Sequence, residues 1–378
     1  MRIGVDLKPV FLRRPGISTF LLRILADLGQ LEHQHEFVLF GPRSALREVP
    51  EGRGFRGVAL EIHEHLGKLR VPFYDQFQLP MALRRERIDL LFCPYVDAPF
   101  FSSVPLIITV YDLVLMRFPE WYPAHLRFYL NSLLRAHLRR AQCILTLSEF
   151  SKQELMNYLK VPPEKIRVLP CAVPSTFMRQ VTPEEISAIR RRLGIPPDYL
   201  LYTGGADARK NLSRLFQAVG RLNLGDSQRY TLVLTGEKAR YLPYRGEWEK
   251  EGLGANLVFT GFASEEDLVA LYHGASLVVY PSLWEGFGLP VLEAIACGVP
   301  VATSRTSSMP EVGRDAAVYF DPQDVDDMVK VIQEALMDAG LRGQLRTAAC
   351  RRRSEFQLHR PAETLLKLFD EVAVELRA

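Results

Sequence analysis

Two glutamates with two glycines between them, in Glu285-Gly286-Phe287-Gly288-Leu289-Pro290-Val291-Leu292-Glu293, form the run most able to do chemistry. It follows Leu277–Tyr280, an apolar stretch of strand length, and enters a helical pattern over Pro290–Cys297. Gly286 and Gly288 let the backbone approach a ligand with no Cβ in the way. Pro290 suits the first position of a helix, where its missing N–H costs nothing. The N–H groups at a helix start attract an anion such as a diphosphate. A carboxylate repels that anion, so Glu285 and Glu293 read as acceptors of hydroxyl hydrogen bonds from a sugar. An ordinary strand-to-helix turn would need only one acidic residue, set against the helix dipole.

A second run has the same layout. The strand Leu200–Thr203 leads through the turn that opens with Gly204 and Gly205 to Arg209-Lys210-Asn211, and then to a helix over Leu212–Leu222. Asn211 is placed to cap that helix. Arg209 and Lys210 stand at the strand's carboxyl end, where two fixed cations neutralise the charge growing on a departing diphosphate.

These runs belong to a longer alternation. Strand patterns at Arg2–Asp6, Glu36–Phe40, Leu90–Cys93, Leu106–Val110 and Cys143–Thr146 alternate with helical patterns at Ser18–Leu28, Pro72–Arg85, Ala124–Arg140 and Ser148–Tyr158. The alternation restarts with strands at Leu200–Thr203, Tyr230–Leu234, Leu257–Thr260, Leu277–Tyr280 and Val299–Thr303. Helices are expected there at Glu265–His273 and Val325–Met337 as well. This is an α/β pattern that predicts two doubly wound parallel sheets, with ligands bound beyond the strands' carboxyl ends. We expect an N-terminal domain over residues 1–172 and a nucleotide-binding domain over residues 198–355. Prolines at 170, 174, 183, 196 and 197 mark residues 173–197 as a linker containing a charged helix. The last segment, 356–378, carries one apolar stripe and reads as a helix, with the N-terminal domain a candidate surface for it to pack back on.

Composition bounds the rest. With 378 residues, 48% apolar and 24% charged, the chain suits two folded domains and no long disordered tract. The five cysteines are scattered with no Cys-x-x-Cys pair, which fits a reducing cytoplasm better than a disulfide framework or a zinc site. Residues 1–172 hold 23 Lys and Arg against 17 Asp and Glu, and the remainder is acidic by three. Solvated helix faces account for such a surplus. An anionic partner, such as a lipid-linked phosphate or the inner membrane surface, is the sharper reading. Nucleic acid is not expected, because no basic-aromatic patch accompanies the charge. Asp324-x-Asp326 reads as helix-opening acid, and His33-x-His35 and His63-x-His65 read as surface histidines, so no metal site is expected.

The motifs together resemble family 4 of the retaining glycosyltransferases, which adopt the GT-B fold of two Rossmann-like domains facing across a cleft. The resemblance covers nearly the whole chain and is nearest to bacterial polysaccharide mannosyltransferases. Glu285 and Glu293 match its Glu-x7-Glu pattern, and Arg209-Lys210-Asn211 its Arg-Lys turn. Phe259-Thr260-Gly261-Phe262 resembles its nucleobase-contacting turn, and Ser307-Ser308-Met309-Pro310-Glu311-Val312 one of its structural blocks. The resemblance implies that Arg209 and Lys210, with Gly204 beside them, bind the diphosphate of a sugar nucleotide. It implies that Glu285 contacts the transferred sugar, that Phe287, Gly288 and Leu289 line the sugar and phosphate site, and that Glu293 holds the ribose. Phe262 would lie by the base, and Gly16 would approach the phosphates from the N-terminal domain.

Two positions depart from the family pattern. Tyr111-Asp112 stands where the family often has His-Asp, and Gly16-Ile17-Ser18 where it has Gly-Ile-Gly. Tyrosine donates a hydrogen bond but is no base near neutral pH. Asp112 is a candidate general base and equally a structural strand-end carboxylate. The resemblance implies transfer of a hexose to a saccharide or lipid-linked acceptor. GDP-mannose is the first expectation for the donor and a UDP-sugar the second, with no further cofactor. A non-catalytic sugar-nucleotide-binding scaffold is the alternative, and donor turnover separates the two.

Overall fold

The computed structural model describes residues 1–14, 16–102, 104–122, 132, 134–169, 171–225, 229–356 and 360–376. The chain divides into two units. One comprises Met1–Cys171 together with the final helix, Arg360–Glu375, and the other begins at Ala172.

Seven strands form the first sheet: β1 (Arg2–Asp6), β2 (Glu36–Gly41), β3 (Phe55–Ala59), β4 (Leu90–Cys93), β5 (Leu106–Thr109), β6 (Cys143–Thr146) and β7 (Ile166–Val168). All pair in parallel, in the order β3-β2-β1-β4-β5-β6-β7. The second sheet contains β8 (Tyr199–Tyr202), β9 (Thr231–Leu234), β10 (Leu257–Phe259), β11 (Leu277–Tyr280), β12 (Val301–Ser304) and β13 (Ala317–Phe320), also parallel, in the order β10-β9-β8-β11-β12-β13. The expected α/β class is therefore the observed one. In the second sheet the strand order reverses between β8 and β11. The carboxyl ends of such a strand pair open a crevice for a ligand.

The inner strands were legible because both of their faces are covered: β4, β6, β8, β9 and β11 are buried at every residue. The edge strands β3, β7 and β13 were not expected. Their residues are partly exposed, so the sequence shows no unbroken apolar run there.

Three expectations need correction. Residues 173–197 belong to the second unit and are not a free linker. Phe177 is buried there against Tyr272, with ring centroids 5.9 Å apart. Pro183 opens the helix Pro183–Leu193, whose Thr182–Glu185 capping box joins side chain and backbone in both directions (2.8 and 3.2 Å). The helix expected over Pro72–Arg85 is not uniform. Arg70–Phe73 runs into a π turn, Tyr74–Gln78, before α-helix resumes at Leu79–Arg85. Nor are the histidines all on the surface: His35 is buried beneath the final helix, 3.0 Å from Asp370. Much of the helix expected over Ala124–Arg140 lies outside the described residues, of which 134–140 are helical.

A buried ionic cluster fixes the π turn to the end of β1. Lys8 Nζ lies 2.6 Å from Asp75 Oδ1 and 3.6 Å from Asp6 Oδ2, and it donates to the Asp97 carbonyl (3.1 Å). Tyr74 Oη donates to Asp6 Oδ1 (2.9 Å). Burial pushes the Asp75 carboxyl up to about 7, against the pull of the Lys8 ammonium. The final helix covers the same sheet, with Phe369 set against Phe37 (5.8 Å) and Phe92 (6.0 Å).

Candidate active site

The loops after β8 and β11 build the site. β8 ends at Tyr202, and one turn of 3-10 helix, Ala208–Lys210, delivers the two cations to Asn211. Asn211 is left-handed, with φ 58°; asparagine tolerates that region through local hydrogen bonding. Its side chain was expected to cap the following helix. Instead its amide donates to the carbonyls of Pro281 (3.1 Å) and Pro322 (2.6 Å). The Leu283 N–H and the Ser282 hydroxyl both donate to the Arg209 carbonyl (2.7 and 3.1 Å). These bonds lace the two loops together at the reversal point of the sheet.

Glu285 is the centre of the resulting cluster. Its Oε1 accepts from Lys210 Nζ (2.6 Å), Ser282 Oγ (2.6 Å) and Tyr280 Oη (3.0 Å), and its Oε2 accepts from Arg209 Nη1 (3.1 Å). Lys210 Nζ also donates to Tyr280 Oη (2.6 Å), and Arg209 Nε to Asp207 Oδ1 (3.0 Å). Burial alone would raise the Glu285 pKa. The adjacent Lys210 and Arg209 charges outweigh it and hold the carboxyl below its ordinary value. Burial, with the Glu285 charge, pushes the Tyr280 hydroxyl well up, so it stays a proton donor at neutral pH. A carboxylate has about four lone-pair sites. Glu285 spends them within the protein here, so a sugar hydroxyl would have to replace one of these donors.

The loop beyond Glu285 is braced from a neighbouring segment. Ser308 Oγ donates to the carbonyls of Glu285 (3.0 Å) and Phe287 (2.7 Å), and the Glu285 N–H donates to Ser307 Oγ (3.2 Å). Phe287 is buried. Gly288 (φ 101°) stands directly before the helix Leu289–Ala296, and a Cβ there would collide with the Met309 side chain. Leu289 begins that helix, half-buried. Glu293 lies one turn on, where Tyr272 Oη donates to its Oε2 (2.9 Å) and shares a second bond with Thr203 Oγ1 (2.6 Å). Gly204 follows Thr203, and its carbonyl accepts from Tyr241 Oη (3.1 Å).

Thus Arg209, Lys210 and Glu285 are in direct contact, and Glu293 joins the β8 turn through Tyr272 and Thr203. Phe262 lies on the turn after β10 and is 87% exposed. Gly16 and Asp112 belong to the first unit. Gly16 (φ 77°) precedes the helix Ile17–Gln30, and the Ser18 hydroxyl is bonded to the Pro9 and Arg14 carbonyls (2.7 and 2.8 Å). Asp112 Oδ1 accepts from the Val114 N–H (3.1 Å), and Tyr111 Oη donates to the Pro94 carbonyl (3.1 Å). Tyr280, Ser282 and Tyr272 were not expected at the site. Asp324 accepts from the N–H groups of Asp326 and Asp327 as a helix cap. Among the described residues, no group of three His, Cys, Asp or Glu is placed to hold a metal.

The model of Glycosyl transferases group 1 matches residues 185–352, and that of Glycosyltransferase Family 4 matches residues 15–177. O-antigen chain mannosyltransferase B of Escherichia coli is 35% identical over 355 residues, which cover 89% of this chain and 91% of that one. The chain belongs to glycosyltransferase family 4. This family 4 transferase shares its fold with sucrose-phosphate synthase of Thermosynechococcus elongatus (18% identity, TM-score 0.78, covering 99% of this chain and 100% of that one). It shares it equally with HepE of Anabaena in complex with UDP-glucose (17% identity, TM-score 0.76, covering 98% and 100%). The fold is GT-B, and the protein is a glycosyltransferase.

Proposed function

We propose that this transferase moves mannose from GDP-mannose to a saccharide or lipid-linked acceptor in polysaccharide synthesis, with retention of the anomeric configuration. The observation that carries the reading is the contact of Arg209, Lys210 and Glu285 at the sheet's reversal point, in a chain similar over most of its length to an O-antigen mannosyltransferase. Arg209 and Lys210 take the diphosphate. The Val291 and Leu292 N–H groups bond back to the Gly288 carbonyl (3.0 and 3.3 Å), so backbone recognition at this turn falls to Gly288 and Leu289. Glu293, held by Tyr272, takes the ribose. Phe262 and Gly204 belong to the base and phosphate ends of the donor, and Phe287 to its sugar end. Asp112, in the first unit, serves the acceptor.

In the step itself the acceptor oxygen bonds to the sugar's anomeric carbon as the carbon–oxygen bond to the diphosphate breaks. The acceptor's proton passes to the departing diphosphate oxygen, on the same face. Catalysis is then orientation together with cationic stabilisation of the leaving group. GDP-mannose, UDP-glucose and UDP-N-acetylglucosamine should be offered with a mannoside acceptor, and the product anomer read by NMR. Turnover of GDP-mannose to an α-mannoside is expected. An inverted product, or turnover of a UDP-sugar alone, would overturn the mechanism or the donor respectively.

A further inference from the structure

We infer that Tyr272 is a positioning residue for the nucleotide's ribose. Its hydroxyl, backed by Thr203, sets the plane in which the Glu293 carboxylate meets the 2′- and 3′-hydroxyls, and so sets how far a ribonucleotide is preferred to a deoxyribonucleotide. The inference rests on the proposed placement of the ribose at Glu293.

Tyr272 stands near the end of the helix Glu265–Gly274, which starts just beyond the exposed Phe262. Its side chain is fully buried. The hydroxyl lies 2.6 Å from Thr203 Oγ1, 2.9 Å from Glu293 Oε2 and 3.4 Å from the Pro290 carbonyl. It has one proton to give. An ionised carboxylate only accepts, and it takes a hydrogen bond more strongly than a neutral carbonyl does. The Tyr272 proton therefore goes to Glu293, and the Thr203 hydroxyl donates to the Tyr272 oxygen. Burial, with the Glu293 charge, pushes the Tyr272 hydroxyl well up, so that proton stays in place at neutral pH. The result is a one-way relay from Thr203 through Tyr272 to Glu293.

The relay is held at both ends. Thr203 directly follows β8 and is buried. Phe177 packs against the Tyr272 ring, and its carbonyl accepts from Cys297 Sγ (3.5 Å), at the end of the helix that carries Glu293. The ring therefore cannot shift without disturbing that helix. A buried tyrosine would be satisfied by Thr203 and the Pro290 carbonyl alone, so the group that gains from the third bond is the carboxylate. Glu293 is only half-buried, and the last bond of a glutamate side chain turns over a broad range. A hydrogen bond to Oε2 restricts that rotation. A vicinal diol offers two donors to the two carboxylate oxygens, and both are met only when the carboxylate plane is held. A 2′-deoxyribose offers one donor, for which the plane matters less.

The test is calorimetric titration of the intact chain with GDP and 2′-deoxy-GDP, or with UDP and 2′-deoxy-UDP if uracil is the base bound, since the ribose is common to both. Tyr272→Phe should weaken the ribonucleotide by about tenfold and the deoxyribonucleotide by about twofold at most. With the sugar nucleotide as substrate, the loss should fall on KM more than on kcat. Thr203→Val, the milder change, keeps the Tyr272 proton but removes its support. It should move the same ratio in the same direction by a smaller factor. Glu293→Ala should remove the preference for ribose, and adding Tyr272→Phe to it should weaken binding no further, a non-additivity that a merely structural tyrosine would not show. Equal losses for the two nucleotides in Tyr272→Phe, additive losses in the double variant, or an unchanged ratio in both hydroxyl variants would overturn the proposal. If Glu293→Ala keeps the full preference for ribose, the ribose placement itself fails. If Glu293→Ala loses that preference while Tyr272→Phe retains it, only the role of Tyr272 fails.

Discussion

At Glu285 two cations and two hydroxyls converge on one carboxylate, and the balance of charge decides what each can do. Arg209, Lys210 and Glu285 together carry one surplus positive charge, which suits an incoming diphosphate. On the proposed role, Lys210→Ala removes the cation that stabilises the leaving group, and turnover should fall by about 10²–10³ with the fold retained, as steady-state rates and circular dichroism would show. Unchanged turnover would take Lys210 out of the reaction. Glu285→Gln should act differently. It leaves Lys210, which is buried, with no countercharge of its own, and breaking a buried pair in this way costs about 3–5 kcal/mol. Denaturant unfolding should show that loss, and GDP should recover part of it by supplying the missing negative charge. The carboxylate's own contribution is present above its unfolded pKa and is lost as pH falls through its lowered folded value. A Gln variant as stable as wild type, with or without GDP, would mean that the pair is not a buried charge balance.

The elements that carry these residues differ in how plainly the sequence announced them. Arg209, Lys210 and Glu285 were legible because each sits at a strand-to-helix turn with glycines near it, and Glu293 because it completes the Glu-x7-Glu spacing from the helix that follows. Tyr280 and Tyr272 were not, since a tyrosine inside an apolar strand or helix reads as core until its hydroxyl is seen to reach Glu285 or Glu293. The charged helix expected within 173–197 starts at Thr182-Pro183-Glu184-Glu185, and only its place in the second unit, held by Phe177, left no mark in the proline spacing. The π turn left no mark in the pattern, and its setting depends on ionic bonds between distant residues. Those bonds predict a pH dependence. Burial holds the folded pKa of Asp75 at about 7, above the ordinary carboxylate range. Such a raised value contributes stability that is full below the unfolded pKa and is lost as pH rises through the folded one. The melting temperature of wild type should therefore fall from pH 5 to pH 8 relative to Asp75→Asn, and parallel curves would show Asp75 ionised throughout. At the other turn, Gly288→Ala meets both a positive φ and the Met309 side chain. A stability loss of about 1–3 kcal/mol is expected, together with weaker nucleotide binding. A neutral effect would mean that the loop has room to move.

Across the whole molecule, chain order and unit membership part company. The final helix follows the second unit in sequence yet packs on the first unit's sheet through Phe369. Removing residues 360–376 should therefore weaken the first unit and leave the β8–β13 sheet intact. The residues proposed to bind the donor lie on the other side of this division: Arg209, Lys210, Glu285 and Glu293 all belong to the second unit. A nucleotide bound by them stabilises what it touches by RT ln(1 + [L]/Kd), about 2.7 kcal/mol at 100 times Kd. For a unit of this size that corresponds to a rise of roughly 5–10 °C. Scanning calorimetry of the intact chain with GDP should therefore move the unfolding of the second unit, identified as the transition that truncation at residue 360 leaves in place. Lys210→Ala should cancel the shift, and UDP at the same concentration should produce a smaller one. A shift confined to the transition that truncation weakens would move the nucleotide to the first unit, and the cluster around Glu285 would then be structural.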